Sequence, residues 1–146
     1  MRKELEELTQ ELKIQDNVQF LGFVKHKMVP IFIGASDIAI APFDKTVTGK
    51  RGLSPLKLYN YLACARPVVI SDIWLEIEPE HKQKILYLVE PENPEELARA
   101  VVYLLRHPER AKVMGDRGYE LVKKYYNWEH SAKKIMGIFR GPNKRN

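Results

Sequence analysis

The chain has 146 residues, 45% of them apolar and 29% charged, and a formal net charge of +5. That length suits one domain with a buried core, and no stretch approaches the roughly 20 apolar residues that would span a membrane. The moderate basic excess suits an anionic ligand, lipid surface or partner without choosing among them, and the single cysteine, Cys64, excludes an internal disulfide.

The opening segment, MRKELEELTQ, is charged and lacks an apolar signal region, so no secretion signal is expected. With one cysteine, this fits a reducing cytoplasm. RKELEELTQELK sets Leu5, Leu8 and Leu12 on one helical face. NVQFLG reads as a short strand. MVPIFIGAS reads as a short apolar helix, with Pro30 in its first turn. DIAIAP is a second strand, and FDKTVTGKRG a polar loop after it. A helix over 54–64 follows, then the strands PVVIS and ILYLVE. NPEELARAVVYLLRH opens with a cap at Asn93, Pro94 in the first helical position and Glu96 three residues on. Leu97, Val101, Leu104 and Leu105 mark its expected buried face. PERAKVMGDRGYELVKKYY and NWEHSAKKIMGIFR give two more helices, and GPNKRN (141–146) reads as a flexible tail on a domain of residues 1–140.

Short, almost wholly apolar strands alternating with helices predict an α/β fold: a Rossmann-like parallel sheet of about four strands covered on both faces. Ligands of such sheets bind beyond the carboxyl ends of the strands. The loop after DIAIAP and the start of the 54–64 helix fall at that end. Ser54 is placed to cap the helix and Pro55 to begin it, which aims the first backbone N–H groups and the positive end of the dipole outward. Lys57 sits in the same turn, where a cation opposes the dipole by roughly 0.3–1 kcal/mol. Either it lies along the surface with its head in water, or it faces an anion, with Lys50 and Arg51 upstream adding charge.

Residues 52–69, GLSPLKLYNYLACARPVV, resemble the nucleotide-sugar-binding segment of retaining GT-B glycosyltransferases of the large group 1 family, also called GT4. Members of that family typically read G-x-S-P-L-K-x-x-E-Y-x-A-x-G-K-P-V-V. NVQFLGFV is similar to the family's strand and loop at the nucleobase, ASDIAIAPF to the strand leading to the donor phosphates, and NPEELARAVVYLLRHPERAKVMGDRGYELVKKYYNWE to its closing helices. The resemblance implies a donor-binding domain with Gly22, Phe23, Val24, Gly52, Leu53, Ser54, Pro55, Leu56, Lys57 and Asn60 around a nucleoside-diphosphate sugar. It implies no catalytic side chain in this chain, and no cofactor or metal besides that donor substrate.

The departures carry information too. Asn60 stands where the family usually has a glutamate on the donor ribose, which forfeits a charge-assisted bond about twice as strong as a neutral one. The second family glutamate falls at Gly52, and the glycine of A-x-G-K-P is Ala65. The resemblance starts at the second helix of the donor domain, without the acceptor-binding domain or the donor domain's first two strands. Weakened donor binding, and no sugar transfer by the isolated chain, are therefore expected. A separate acceptor-domain chain or a homodimer is the expected partner, since bare strand edges are rarely left open; the rival is a monomer whose first strand closes directly onto its second, with the leading helix over the edge. A binding or regulatory remnant, and an interaction module without ligand, are the competing readings.

His26, His81, His107 and His130 show no metal or catalytic spacing and read as surface or loop residues; no Asp-x-Asp pair occurs. Cys64 reads as a small core residue, and Gly115 and Gly118 as sites of close helix packing. YELVKKYYNWEHSAKKIMGIFR mixes basic and aromatic residues, a mixture suited to peripheral contact with anionic lipid. Nucleic acid is not expected as a partner. The amphipathic pattern favours Tyr125, Trp128 and Phe139 as core with the lysines as a solvated back.

Overall fold

The computed structural model describes residues 2–46, 55–73, 75 and 77–140. Seven α-helices and three strands are assigned among them, in the order α1 (Arg2–Glu11), α2 (Val29–Gly34), β1 (Ala39–Ala41), α3 (Leu56–Ala63), β2 (Val68–Ser71), α4 (Pro79–Ile85), β3 (Leu86–Val89), α5 (Pro94–Arg106), α6 (Pro108–Tyr125) and α7 (Trp128–Arg140). The strands form one parallel sheet in the order β1-β2-β3. Ala39 faces Val68 and Ala41 faces Ile70; Val68 faces Leu86 and Ser71 faces Val89. The α/β class and parallel sheet expected from the apolar strand pattern are present.

Central β2 is buried along its whole length, and its side chains alternate between two cores. Val68 and Ile70 pack with Leu58 and Leu62 of α3, Ile85 of α4 and Leu121 of α6. Val69 packs on the other face with Val89, Ala100 and Leu104 of α5, and Ala111 and Met114 of α6. Leu58, Leu62, Val68, Val69, Ile70 and Leu104 are fully buried; each contributes about 1.5–3 kcal/mol relative to exposure. The first core extends through Ile73, Leu75 and Ile77, a buried connection into α4.

Helix α6 reaches α3 through its glycines. A Cβ on Gly118 would stand 2.5 Å from Cδ2 of Leu62, and one on Gly115 would overlap the carbonyl oxygen of Ala65. Ala65 itself has φ 53°, the left-handed region that favours glycine. The close packing expected of these two glycines is what the structure shows.

Four expectations are corrected in detail. Residues 17–22 were expected as a strand; 15–17 form a 3₁₀ turn and 18–22 belong to no strand. A strand needs a hydrogen-bonding partner, and the sheet ends at β1, which pairs only with β2. Leu105 was placed on the buried face of α5, yet it is exposed, while Leu104 and Ala100 face the sheet. Cys64 is half-buried at the end of α3 and not in the core; burial pushes its thiol pKa up, against the opposing pull of Arg66. Trp128 and Phe139 were expected in the core and are 92% and 86% exposed, and Tyr125 is exposed as well. The cause is the orientation of α7. Asn127 donates to the Lys123 carbonyl and accepts from the His130 N–H, clamping the start of α7 to the end of α6. His130 meets the ring of Tyr125, and at 100° per residue Trp128 and Phe139 lie roughly opposite His130. The expected tail, 141–146, lies outside the described residues.

The α5 cap is as expected on one side: Asn93 Oδ1 accepts from the Glu96 N–H at 2.9 Å. The reciprocal half is different, since the Glu96 carboxylate accepts from the Glu90 N–H. The histidines lie at or near the surface: the His81 ring stacks near Tyr125 and the His107 ring on Tyr103, with His107 Nδ1 2.7 Å from the Tyr103 carbonyl oxygen.

Candidate functional site

The carboxyl ends of β1 and β2 meet the amino end of α3, and three contacts fasten this end of the sheet. Ser71, the last residue of β2, is buried; its hydroxyl accepts from the Phe43 N–H at 2.8 Å and donates to the Phe43 carbonyl at 3.0 Å. Glu92 accepts from the Lys45 N–H at 3.1 Å and lies 4.0 Å from the Lys45 ammonium. The Lys82 ammonium bonds Asp72 at 2.7 Å and the Ile73 carbonyl at 2.9 Å, holding the segment beyond β2.

Helix α3 starts one residue later than the sequence suggests. Pro55 is the N-cap residue, and its carbonyl accepts from the Leu58 N–H at 2.9 Å. Proline offers no side-chain cap, and helical geometry leaves the N–H groups of Leu56 and Lys57 without intrahelical partners. Gly52, Leu53 and Ser54 lie outside the described residues, as do Lys50 and Arg51. Leu58 and Leu62 anchor the inner face of α3. Leu56, Lys57 and Asn60 are exposed on its outer face, Asn60 lying four residues after Leu56 and three after Lys57. The Lys57 ammonium sits 5.3 Å from the centre of the Phe43 ring. Such a cation–π contact contributes about 0.5–1 kcal/mol at an exposed site, enough to offset the unfavourable helix dipole. The structure therefore joins Lys57 to the loop after β1. The side chain lies along the surface over this ring and remains exposed.

Gly22 has φ 66° and lines a cavity of about 510 Å³ with Arg2, Leu5, Gln19, Phe20 and Leu21. That places it against α1. Phe23 is 95% exposed and Val24 half-buried. A smaller cavity of about 140 Å³ lies at the strand ends, lined by residues that include Pro42, Ser71, Glu90, Glu92 and Asn93. At that volume it is below the ordinary size of a small-molecule pocket. Among the described residues no group of histidine, cysteine or acidic side chains is arranged to hold a metal ion.

Sequence reasoning missed Phe43 and Ser71. The available signal was a lone serine ending an otherwise apolar strand, but its partner lies 28 residues away in the chain.

A parallel sheet flanked by helices is the Rossmann-like architecture found in the GT-B glycosyltransferases. The sequence model for "Glycosyl transferases group 1" matches residues 1–107, and the chain belongs to that family. An uncharacterised glycosyltransferase of Methanocaldococcus jannaschii is 25% identical over 140 residues, 96% of this chain and 34% of that protein. The chain thus spans about a third of the length of that curated relative. The C-terminal domain of a glycosyl transferase group 1 family protein from Francisella tularensis superposes with TM-score 0.68 at 23% identity, over 87% of this chain and 63% of that one. The Anabaena protein HepE, solved with UDP and glucose, superposes with TM-score 0.78 at 17% identity, over 96% of this chain and 36% of that one.

Proposed function

We propose that the chain is the donor-binding part of a retaining glycosyl transfer enzyme, and that it holds the diphosphate of a nucleoside-diphosphate sugar at the amino end of α3. The observation that carries this reading is Lys57 over Phe43, beside the first N–H groups of α3 and at the carboxyl end of β1. A diphosphate there gains the lysine charge, the unpaired N–H groups and the positive end of the helix dipole together. Leu53 and Ser54 precede this turn, and Asn60, one turn on, is placed for a neutral hydrogen bond to the ribose. Gly22, Phe23 and Val24 are assigned to the nucleobase by family resemblance alone. The solved complex of HepE with UDP and glucose supports the choice of ligand class.

The acceptor side is assigned to a second chain or domain, because this chain spans about a third of the relative it matches. The isolated chain then binds donor without transferring sugar, in the cytoplasm. A second reading, a nucleotide-binding module that no longer serves transfer, draws on Asn60 in place of the family glutamate. The test is equilibrium binding of a panel of nucleoside-diphosphate sugars, followed by product detection with simple acceptors. Saturable binding without product is the expected result. Turnover by the chain alone removes the division of labour, and absence of binding to every donor removes the site.

A further inference from the structure

Glu92 has a strained backbone and spends its side chain far from its own turn. Its φ is 59°, in the left-handed region that glycine occupies freely and most other residues avoid. The turn around it is fixed by its neighbours. The Asn93 N–H donates to the Glu90 carbonyl at 3.3 Å, the Glu90 N–H donates to the Glu96 carboxylate at 2.8 Å, and Asn93 Oδ1 caps α5. None of these three contacts uses the Glu92 carboxylate. That group accepts from the Lys45 N–H at 3.1 Å, across 47 residues of chain. The accompanying ion pair is long, 4.0 Å, and joins two exposed side chains, so it contributes little. The bond to the backbone is the fixing contact.

Lys45 lies in the loop after β1, two residues beyond Phe43. Asp44 turns this loop by accepting from the Thr46 N–H at 2.9 Å. Ser71 ties Phe43 to the end of β2, and Glu92 ties Lys45 to the turn after β3. The loop is thus held from two places, and its Phe43 ring carries the Lys57 ammonium. We propose that Glu92 is a positioning residue for the donor site: it keeps the Phe43 loop ordered before the ligand arrives, so that Lys57 is already in place. This role rests on the reading that a diphosphate binds at the amino end of α3. Without the Glu92 bond, ordering the loop falls to the ligand and is drawn from the binding free energy. The strained backbone at 92 then serves binding and not stability.

The experiment compares the unaltered chain with Glu92→Gly and Glu92→Gln, by calorimetric titration of UDP-glucose, thermal melting and hydrogen exchange of the Lys45 amide. Glu92→Gly should bind about fivefold more weakly, the worth of one net hydrogen bond. Its melting temperature should stay within about 4 °C, because the strain that glycine removes offsets the lost bond and glycine's freedom in the unfolded chain. Glu92→Gln should bind within about twofold of the unaltered chain, because its amide oxygen still accepts from the Lys45 N–H. Exchange at Lys45 should quicken in Glu92→Gly alone. Unchanged exchange in Glu92→Gly overturns the proposal without reference to any donor, as does unchanged affinity where the unaltered chain binds. Equal weakening by Glu92→Gln overturns it by assigning the effect to charge, and a much larger fall in melting temperature overturns it by making Glu92 a stabilising residue only. Absence of binding by the unaltered chain is the separate failure of the donor-site reading, and it removes this role as well.

Discussion

Ser71 and Phe43 are joined by a reciprocal pair of hydrogen bonds, the buried hydroxyl accepting from the backbone N–H and donating to the carbonyl of the same residue. The pair ties the end of β2 to the loop after β1, and so sets the ring over which Lys57 lies. Ser71→Ala leaves both backbone groups of Phe43 without this partner. Urea unfolding should show a loss of about 1–3 kcal/mol, and phosphate-ligand binding should weaken in the folded fraction. Unchanged stability would mean that water replaces the hydroxyl at no cost.

Gly115 and Gly118 make different predictions although both face α3. The Cβ of Gly118→Ala meets the end of the Leu62 side chain, which another rotamer can relieve. The Cβ of Gly115→Ala meets the Ala65 backbone, which must move as a unit. Thermal unfolding should therefore show a loss of about 1–3 kcal/mol for Gly118→Ala and a larger one for Gly115→Ala. The reverse order would contradict the packing described.

Ala65 carries a left-handed backbone, φ 53°, where a side chain costs about 1–2 kcal/mol. Part of that is returned by glycine's freedom in the unfolded chain, about 0.5–1 kcal/mol. Ala65→Gly should raise stability by about 0.5–1 kcal/mol in chemical denaturation. A loss would mean that the Ala65 methyl makes contacts worth more than the strain.

The Leu5, Leu8 and Leu12 face of α1 remains 44%, 47% and 58% exposed. A second copy is the expected cover, through a two-fold contact. Light scattering at micromolar concentration should give a dimer mass, reduced to a monomer by Leu8→Ser with Leu12→Ser. A monomer from the unaltered chain rules the dimer out.

Much of the scaffold was legible because its signals are local. IAIA and VVIS are short apolar runs rich in β-branched residues that read as strands, although Ile40 of the edge strand stays 47% exposed, and Asn93-Pro94 with Glu96 announces the start of α5 within four residues. What was not legible depends on distant partners. VQFLG has the composition of a strand but no neighbour to pair with. Trp128 and Phe139 have helical core spacing, but the Asn127 clamp decides which way that face points. Helix α4, PEHKQKI, was missed because it is short and offers one buried apolar residue, Ile85. At the candidate site, Lys57 could be singled out from its place in a helix start. Phe43 and Ser71 could not, since only the parallel pairing of β1 and β2 brings them together.

Calorimetric titration of UDP-glucose into the unaltered chain and into Lys57→Ala tests the donor-site reading most directly. The account predicts saturable binding that weakens by about 1 kcal/mol or more without the lysine, the scale of a charge-assisted contact. It predicts a gain for Asn60→Glu, which restores a charged partner to the ribose. Equal affinity of the unaltered chain and Lys57→Ala would contradict the placement of the diphosphate at the amino end of α3.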